Sequence, residues 1–400
     1  VTFRKIVGKL HLWLGLASGL VVLVSMLAAA VFVWDEELTE WYYGNYVFVQ
    51  PEKSTVQPMA LLLENARKAV PGKVVSGVAI EHDPRKSYVF YTYKGNENPQ
   101  GFTHWANYEY WDEIYLNPYT GEVIGTVNML TNWIDLTRRL HQNLLLRYDI
   151  GHYIVGFATL FILVMLATGL ILWFPKNKAA LKQRFSIKWK ARWRRVNYDL
   201  HNVGGFYTWL LIAILAITGL VWTFDWWTDG IYRILGDNPD TVFKQNEHPQ
   251  PAVLPSGTDN PLDKIFADLL TKRENWNELF MDFADSEAEE PRNEVSAYLS
   301  FDKTGWDDSD SYYYHAQTGE LVHQVLQEQK TIGEKWRNSN YAIHVGSIYG
   351  LPTKILACFA ALFLASLPVT GFYIWWGRKK KKKPAAKSKA PPTKALETIA

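Results

Sequence analysis

Four runs of mostly apolar residues, near positions 12–34, 153–174, 206–227 and 355–376, dominate the hydropathy of the chain. Each holds roughly 20 or more such residues, the length a helix needs to cross a hydrocarbon layer. The pattern predicts four transmembrane helices. Trp13, Trp34, Trp173, Trp222, Trp226, Trp227, Trp375 and Trp376 fall toward the run ends, where an indole meets both lipid and headgroups. In the long connections the period changes. Residues 59–69 read as a short amphipathic helix, followed after Pro71 and Gly72 by the strand-like runs KVVSGVAI, SYVFYTY and EIYLN and a turn at PYTGEV. Residues 261–270 are again helix-like, EVSAYLSF and SYYYHA strand-like, and QTGEL is the matching turn. Long turns or linkers are expected near 237–260, 286–292 and 304–311.

The plan occurs twice. LHLWLGL at 10–16 parallels LHNVGGF at 200–206, with the His to Gly spacing preserved at His11 to Gly15 and His201 to Gly205. TGLILW at 168–173 parallels TGFYIW at 370–375. Two apolar runs per repeat make corresponding helices run in the same direction, a parallel repeat. The expected fold class is an α-helical integral membrane protein, a four-transmembrane-helix bundle of two parallel repeats with two external α+β domains. Its segments are a first helix (1–35), an external domain (36–137), a short external helix with the second transmembrane helix (138–174) and a connection (175–200). The second half repeats them as a third helix (201–227), an external domain (228–339), a short helix with the fourth transmembrane helix (340–376) and a tail (377–400).

Charge orients this frame. The connection 176–195 carries nine Lys or Arg and no acidic residue, and Arg378 with the lysines at 379–383 follows the last run. Residues 36–137 instead hold thirteen acidic and seven basic side chains, and 228–343 hold twenty-two and ten. Basic flanks stay in the cytoplasm, so both termini and the middle connection are expected there and the long connections outside. The outer acidity excludes a nucleic-acid partner, and the Lys-rich tail reads as a topology determinant or a lipid-headgroup contact. The first run follows Arg4, Lys5 and Lys9 as an export signal would. It is longer than a signal core, however, and ends in Trp34, Asp35, Glu36 and Glu37 without a small-residue cleavage site, so it is expected to be retained. Cys358 has no intrachain disulfide partner.

An imidazole at membrane depth needs a polar partner or a ligand. His11 and His201 occupy equivalent positions at the cytoplasmic ends of two outward helices, which suits shared ligation of a haem iron from its two faces. Zinc fits less well, because no third and fourth ligands accompany the pair at short spacing. His141 lies 27 residues before Thr168, and His344 lies 26 before Thr370, making them the matched outer pair. An unbroken helix would carry both beyond a hydrocarbon core about 30 Å thick. Breaks near 149–151 and 350–352 would fold short helices back over the bundle, and His152 at the membrane boundary is a rival outer ligand. Arg194 and Arg195, with Arg4, Lys5 and Lys9, suit either topology or anionic cofactor groups at the inner site. Arg138, Arg139 and Arg147 suit such groups at the outer one. Glycines such as Gly15, Gly19, Gly169, Gly219 and Gly371 permit close helix approach and also clear room for a flat cofactor. His82, His104, His248, His315 and His323 read as surface or packing residues. The chain contains no CxxCH attachment site, Walker loop or Rossmann fingerprint.

KLHLWLGLASG from Lys9, RRLHQNLL from Arg138, GHYIVGFATLFILVMLATGLILWFP from Gly151, DLHNVGGFY from Asp199 and IHVGSIYGLP from Ile343 leading to TGFYIWW together resemble the PepSY-associated transmembrane family of iron-regulated membrane proteins. The resemblance implies external PepSY-like domains, a four-helix membrane core and two non-covalent haem b groups, with His11, His141, His201 and His344 as the histidines carried over. Position 152 is commonly Arg in related sequences, so His152 is a departure. Some members act as inner-membrane ferrisiderophore reductases of Gram-negative bacteria. The function implied is transfer of electrons from a cytoplasmic or membrane donor, such as a reductase or quinol, to an Fe(III)-siderophore or other ferric chelate outside. The alternatives are haem electron transfer without direct chelate reduction, and a non-enzymatic PepSY interaction or protease-regulating protein.

Overall fold

The computed structural model describes residues 2–51, 55–175, 181, 184–251, 260–283, 293–301 and 307–380, with 378–380 in backbone only. The turn expected at 286–292, parts of those at 237–260 and 304–311, the start of the basic connection and the Lys-rich tail beyond 380 lie outside the described residues.

In chain order the main helices are α1 (Phe3–Phe32), α2 (Asp35–Tyr42), α3 (Met59–Ala69), α4 (Trp133–Asn143), α5 (Tyr148–Trp173), α6 (Trp193–Asp199), α7 (Trp209–Gly219), α8 (Asp225–Leu235), α9 (Pro261–Lys272), α10 (Ile332–Val345) and α11 (Leu351–Lys380). The expected bundle of four transmembrane helices is not formed. Among the described residues three helices are long and apolar enough to cross a membrane: α1, α5 and the Leu351–Gly377 part of α11. The third apolar run is instead a broken pair, Trp193–Tyr207 and Trp209–Trp222, bent by 63°. The cause is local. Residues Leu200–Gly204 form a turn of π-helix that ends in Gly204 and is followed by Gly205, and the Thr208 hydroxyl donates back to the Gly204 carbonyl at 2.9 Å. Each of these features loosens or bends the helical ladder.

The expected pair of separate external domains is also corrected. Strands β1 (Val75–Glu81), β2 (Tyr88–Gly95), β3 (Tyr108–Leu116) and β4 (Val123–Asn128) from the first connection join β5 (Glu278–Asp282), β6 (Glu294–Phe301), β7 (Asp308–His315) and β8 (Leu321–Val325) from the second. They make one antiparallel eight-stranded sheet in the order β4-β3-β2-β1-β5-β6-β7-β8. The seam is the β1–β5 ladder, with Val78 opposite Met281 and Ile80 opposite Leu279. The strand order is mirrored about that seam, so each half contributes a helix and a four-stranded meander.

Residues three and four apart on a helix share a face, and alternate residues share one on a strand. Accordingly α3 buries Met59, Leu62, Leu63 and Ala66, and α9 buries Ile265, Phe266 and Leu269, against Val78, Ile80, Leu279, Met281 and Leu299 of the strands in a single core. The Ala60 amide donates to Asp263 Oδ1 at 2.9 Å, tying the two helices together. Below the sheet, Lys354 at the start of α11 is almost fully buried between Glu36 and Glu37 of α2, at 3.2 and 2.8 Å.

Helices α4 and α10 bring the outer histidines back to the membrane helices. The first fold-back falls at Leu144 and Leu145, both with left-handed φ near 59° and 55°, rather than at 149–151, which lies inside α5. Gly151 serves close approach instead, since a Cβ there would collide with the Asn143 carbonyl. The second fold-back runs through Gly346 and Gly350, with φ of 81° and 67°. A left-handed conformation costs a leucine roughly 1–2 kcal/mol but glycine little.

Candidate functional site

The helices carry two histidine pairs. At one end the rings of His11 (α1) and His201 (the π-helical turn) lie 6.4 Å apart between centres, with planes at 87°. At the other, His141 (α4) and His344 (α10) lie 6.0 Å apart with planes at 32°.

Each imidazole is held by a hydroxyl on another helix. His11 Nδ1 lies 2.9 Å from Thr168 Oγ1, His201 Nδ1 2.9 Å from Thr370 Oγ1, His344 Nδ1 2.9 Å from Thr218 Oγ1 and His141 Nδ1 3.0 Å from Ser25 Oγ. The bonding of those hydroxyls fixes the tautomer. Thr168 donates to the Val164 carbonyl at 2.8 Å, Thr218 to Ile214 at 2.7 Å, Thr370 to Leu367 at 3.0 Å, and Ser25 to the His141 carbonyl at 2.8 Å. With its one hydrogen committed, each hydroxyl can only accept, so Nδ1 carries the proton and Nε2 keeps its lone pair. Burial holds His141 and His344 below the ordinary histidine range, His344 at about 3 with His141 adding to the effect, which favours the neutral form of both rings.

Glycine follows three of the four hydroxyls. A Cβ on Gly169 or Gly371 would stand 3.3 Å from Cε1 of His11 or His201, and one on Gly219 would stand 3.0 Å from Cε1 of His344. The sequence reading found TG at 168 and 370 but missed TGLVW at 218–222, which repeats the same signal. It also missed Ser25, which stands in SML without a following glycine.

A second brace recurs at the histidines of the second half. Asn197, four residues before His201, donates Nδ2 to the Thr370 carbonyl at 3.0 Å, and Asn340, four before His344, donates to the Thr218 carbonyl at 3.2 Å. Both asparagines are at most 3 % exposed, and in both Oδ1 is buried without a partner. NxxxH at 197–201 and 340–344 was the overlooked sequence signal.

The arginines fall differently. Arg138 and Arg139 both pair with Asp135 on their own helix and face the Trp111 ring at 5.5 and 4.6 Å. Arg147 pairs with Asp149 at 2.6 Å and donates to the Pro99 carbonyl, and Arg195 pairs with Asp199 at 2.9 Å. Arg194 is exposed and lines a cavity of about 940 Å³ between α1, α6 and α11, into which Gly15, Gly19 and Asn197 also face. His152 turns Nδ1 to the Tyr148 carbonyl and lies against the Tyr148 and Tyr153 rings, at 4.4 and 3.9 Å between centres. The structure gathers His141 with His344 and sets His152 in this aromatic stack.

The donor set fits one iron between each pair. Metal–imidazole bonds of about 2 Å place two rings on opposite faces of a metal with their centres about 6 Å apart. The observed centre-to-centre spacings of 6.4 and 6.0 Å agree with that figure, and Nε2 is the nitrogen of each ring that no hydroxyl holds. No curated protein matches this sequence. The model of the PepSY-associated TM region matches residues 9–378, taking in both histidine pairs, the sheet and every apolar run. The chain is therefore a membrane protein belonging to the PepSY-associated TM region family.

Proposed function

We propose that the protein binds two non-covalent b-type haems, His11 and His201 holding the inner one and His141 and His344 the outer one, and carries electrons across the bacterial inner membrane to reduce an Fe(III)-siderophore or other ferric chelate on the periplasmic side. The supporting observation is the double set of opposed imidazoles, each with Nδ1 fixed by a hydroxyl and Nε2 free. Haem bound there supplies one-electron chemistry at its iron. The protein's part is to set ligand orientation through Thr168, Thr370, Thr218 and Ser25, and to clear the ring edges through Gly169, Gly371 and Gly219. Reduction of chelated Fe(III) lowers its charge and weakens hard-oxygen coordination, releasing the metal. With the bent pair Trp193–Tyr207 and Trp209–Trp222 supplying the remaining crossing, both termini lie in the cytoplasm and the sheet in the periplasm, in keeping with the basic flanks and the acidic connections.

Anaerobic spectroscopy of the purified protein tests the proposal. Acid-solvent extraction should release about two haems per chain, and in vesicles with an internal reductant an external Fe(II) trap should report chelate reduction. Covalently retained haem, or none, would sink the cofactor assignment. Reduced haem that added ferric chelates leave unoxidised would instead favour electron transfer to another acceptor.

A further inference from the structure

The basic residues that the sequence sets beside the outer histidines are engaged by carboxylates. Arg138 and Arg139 share the buried Asp135, Arg147 holds Asp149, and Lys354 lies between Glu36 and Glu37. Arg337 of α10 differs. It makes neither an ion pair nor a hydrogen bond with any described residue. The carboxylates around it are committed elsewhere: Glu334 accepts from the Phe243 and Thr331 amides and from Gln245 Nε2, and Asp237 accepts from the Thr331 hydroxyl and the Gly333 amide. Asp229 of α8, whose charge reaches Tyr232 as that of Arg337 does, forms no ion pair with it either. Arg337 is half-buried, and its unpaired nitrogens keep access to solvent, so a ligand can reach them.

Its position points at the histidine pair. Arg337, Tyr341 and His344 recur at the spacing of one helix face. The indole of Trp222 touches the first and the last of them: the guanidinium carbon stands 5.9 Å from its ring centre, and the His344 ring lies 5.2 Å away at 70°. Arg337 is therefore on the same side of α10 as the ligand ring, about two turns or roughly 10 Å further along the helix. That end of α10 faces the sheet, since Asn338 donates Nδ2 to Ser309 Oγ of β7 at 3.2 Å.

We propose that Arg337 binds a propionate of the outer haem and so turns the carboxylate edge of the group between His141 and His344 toward the sheet. This deepens the haem reading above and rests on it. A porphyrin carries its two carboxylates on one edge, and each stays ionised only against water or a cation. A guanidinium meets a carboxylate with two parallel N–H donors. Arg138 and Arg139 could take that part only by releasing Asp135, which is 4 % exposed and would be left as a buried, unpaired charge. Lys335, also without an ion pair, falls on the face of α10 opposite His344.

The haem-depleted full chain in phosphatidylcholine nanodiscs would be titrated with haemin and with haemin dimethyl ester, which lacks both carboxylate charges, following the low-spin Soret band. At one of the two sites Arg337→Gln should weaken haemin binding about tenfold or more and leave ester binding within about twofold of wild type. Arg337→Lys, which keeps the charge without the fork, should lose less haemin affinity and again none for the ester. Arg138→Gln and Arg139→Gln should not distinguish the two forms. Equal losses for haemin and ester in both Arg337 variants, no loss in either, or an ester-sensitive loss at Arg138 or Arg139 instead would overturn the proposal while the haem reading stands. Failure of wild type to bind either form would reject the haem reading and the proposal with it.

Discussion

Replacing Thr218 by valine keeps the shape of the side chain and removes only its hydroxyl. Thr218 is 4 % exposed, and its Oγ1 is the acceptor for His344 Nδ1 at 2.9 Å. The carbonyl of residue 218 would still receive the Asn340 amide, so the helix contact survives while the imidazole N–H loses its hydroxyl partner and keeps only the Leu215 carbonyl. Loss of that hydrogen bond from a buried donor costs up to about 3 kcal/mol, and at 1.36 kcal/mol per factor of ten that is up to roughly 150-fold in affinity. The range overlaps the roughly 10- to 100-fold loss typical when a group orienting a metal-bound histidine is removed. Titration of haem-depleted protein with haemin, read by the low-spin Soret band, should show that loss at one of two sites. Thr159→Val is the matched control, since its hydroxyl bonds only the Val155 carbonyl within its own helix, at 2.9 Å. If Thr218→Val binds haem within twofold of wild type at both sites, the hydroxyl does not orient a ligand and the tautomer argument fails.

Gly219→Ala would press a methyl group to 3.0 Å from His344 Cε1, tighter than the 3.3 Å at Gly169 or Gly371, so outer-site haem retention should fall more than inner-site retention does in either counterpart. His152→Ala should keep both low-spin signals, whereas His141→Ala should lose one; the reverse outcome would move the outer ligand to residue 152. Burial, with the carboxylates of Glu81, Glu36 and Asp307, raises Glu278 from 4.5 to about 7. The folded state therefore holds this proton more tightly than the unfolded one, and the stabilisation, complete below about pH 4.5, is lost as pH rises through 7. Glu278→Gln should flatten that decline, gaining at most about 3 kcal/mol at pH 8, as measured by the melting temperature of the sheet at pH 5 and pH 8.

Hydrophobic spacing made the apolar runs, the helices α3 and α9 and most of the strands legible, because each is a local periodicity written within a few residues. The duplicated LH and TG motifs likewise picked out His11 and His201, and near-equal offsets from the TG motifs matched His141 with His344. The break in the third run was not legible. Residues 206–227 are as apolar as their counterparts, and the bend comes from a π-turn and a back-bonding threonine that hydropathy does not register. Ser25 was equally hidden, since a serine in an apolar run has no meaning until a histidine 116 positions away is known to lie against it.

The sequence by itself determined which histidines correspond and that they occur in two sets, since residue type and repeat spacing are properties of the chain alone. Tertiary structure alone decided their relations. The two connections joined edge to edge, because unpaired β1 and β5 edges satisfy one another's backbone groups only when strands some two hundred residues apart meet. Only helix packing brought each imidazole to a hydroxyl on a different helix, and the hydrogen-bonding capacity of that hydroxyl then settled which ring nitrogen remains free to bind a metal.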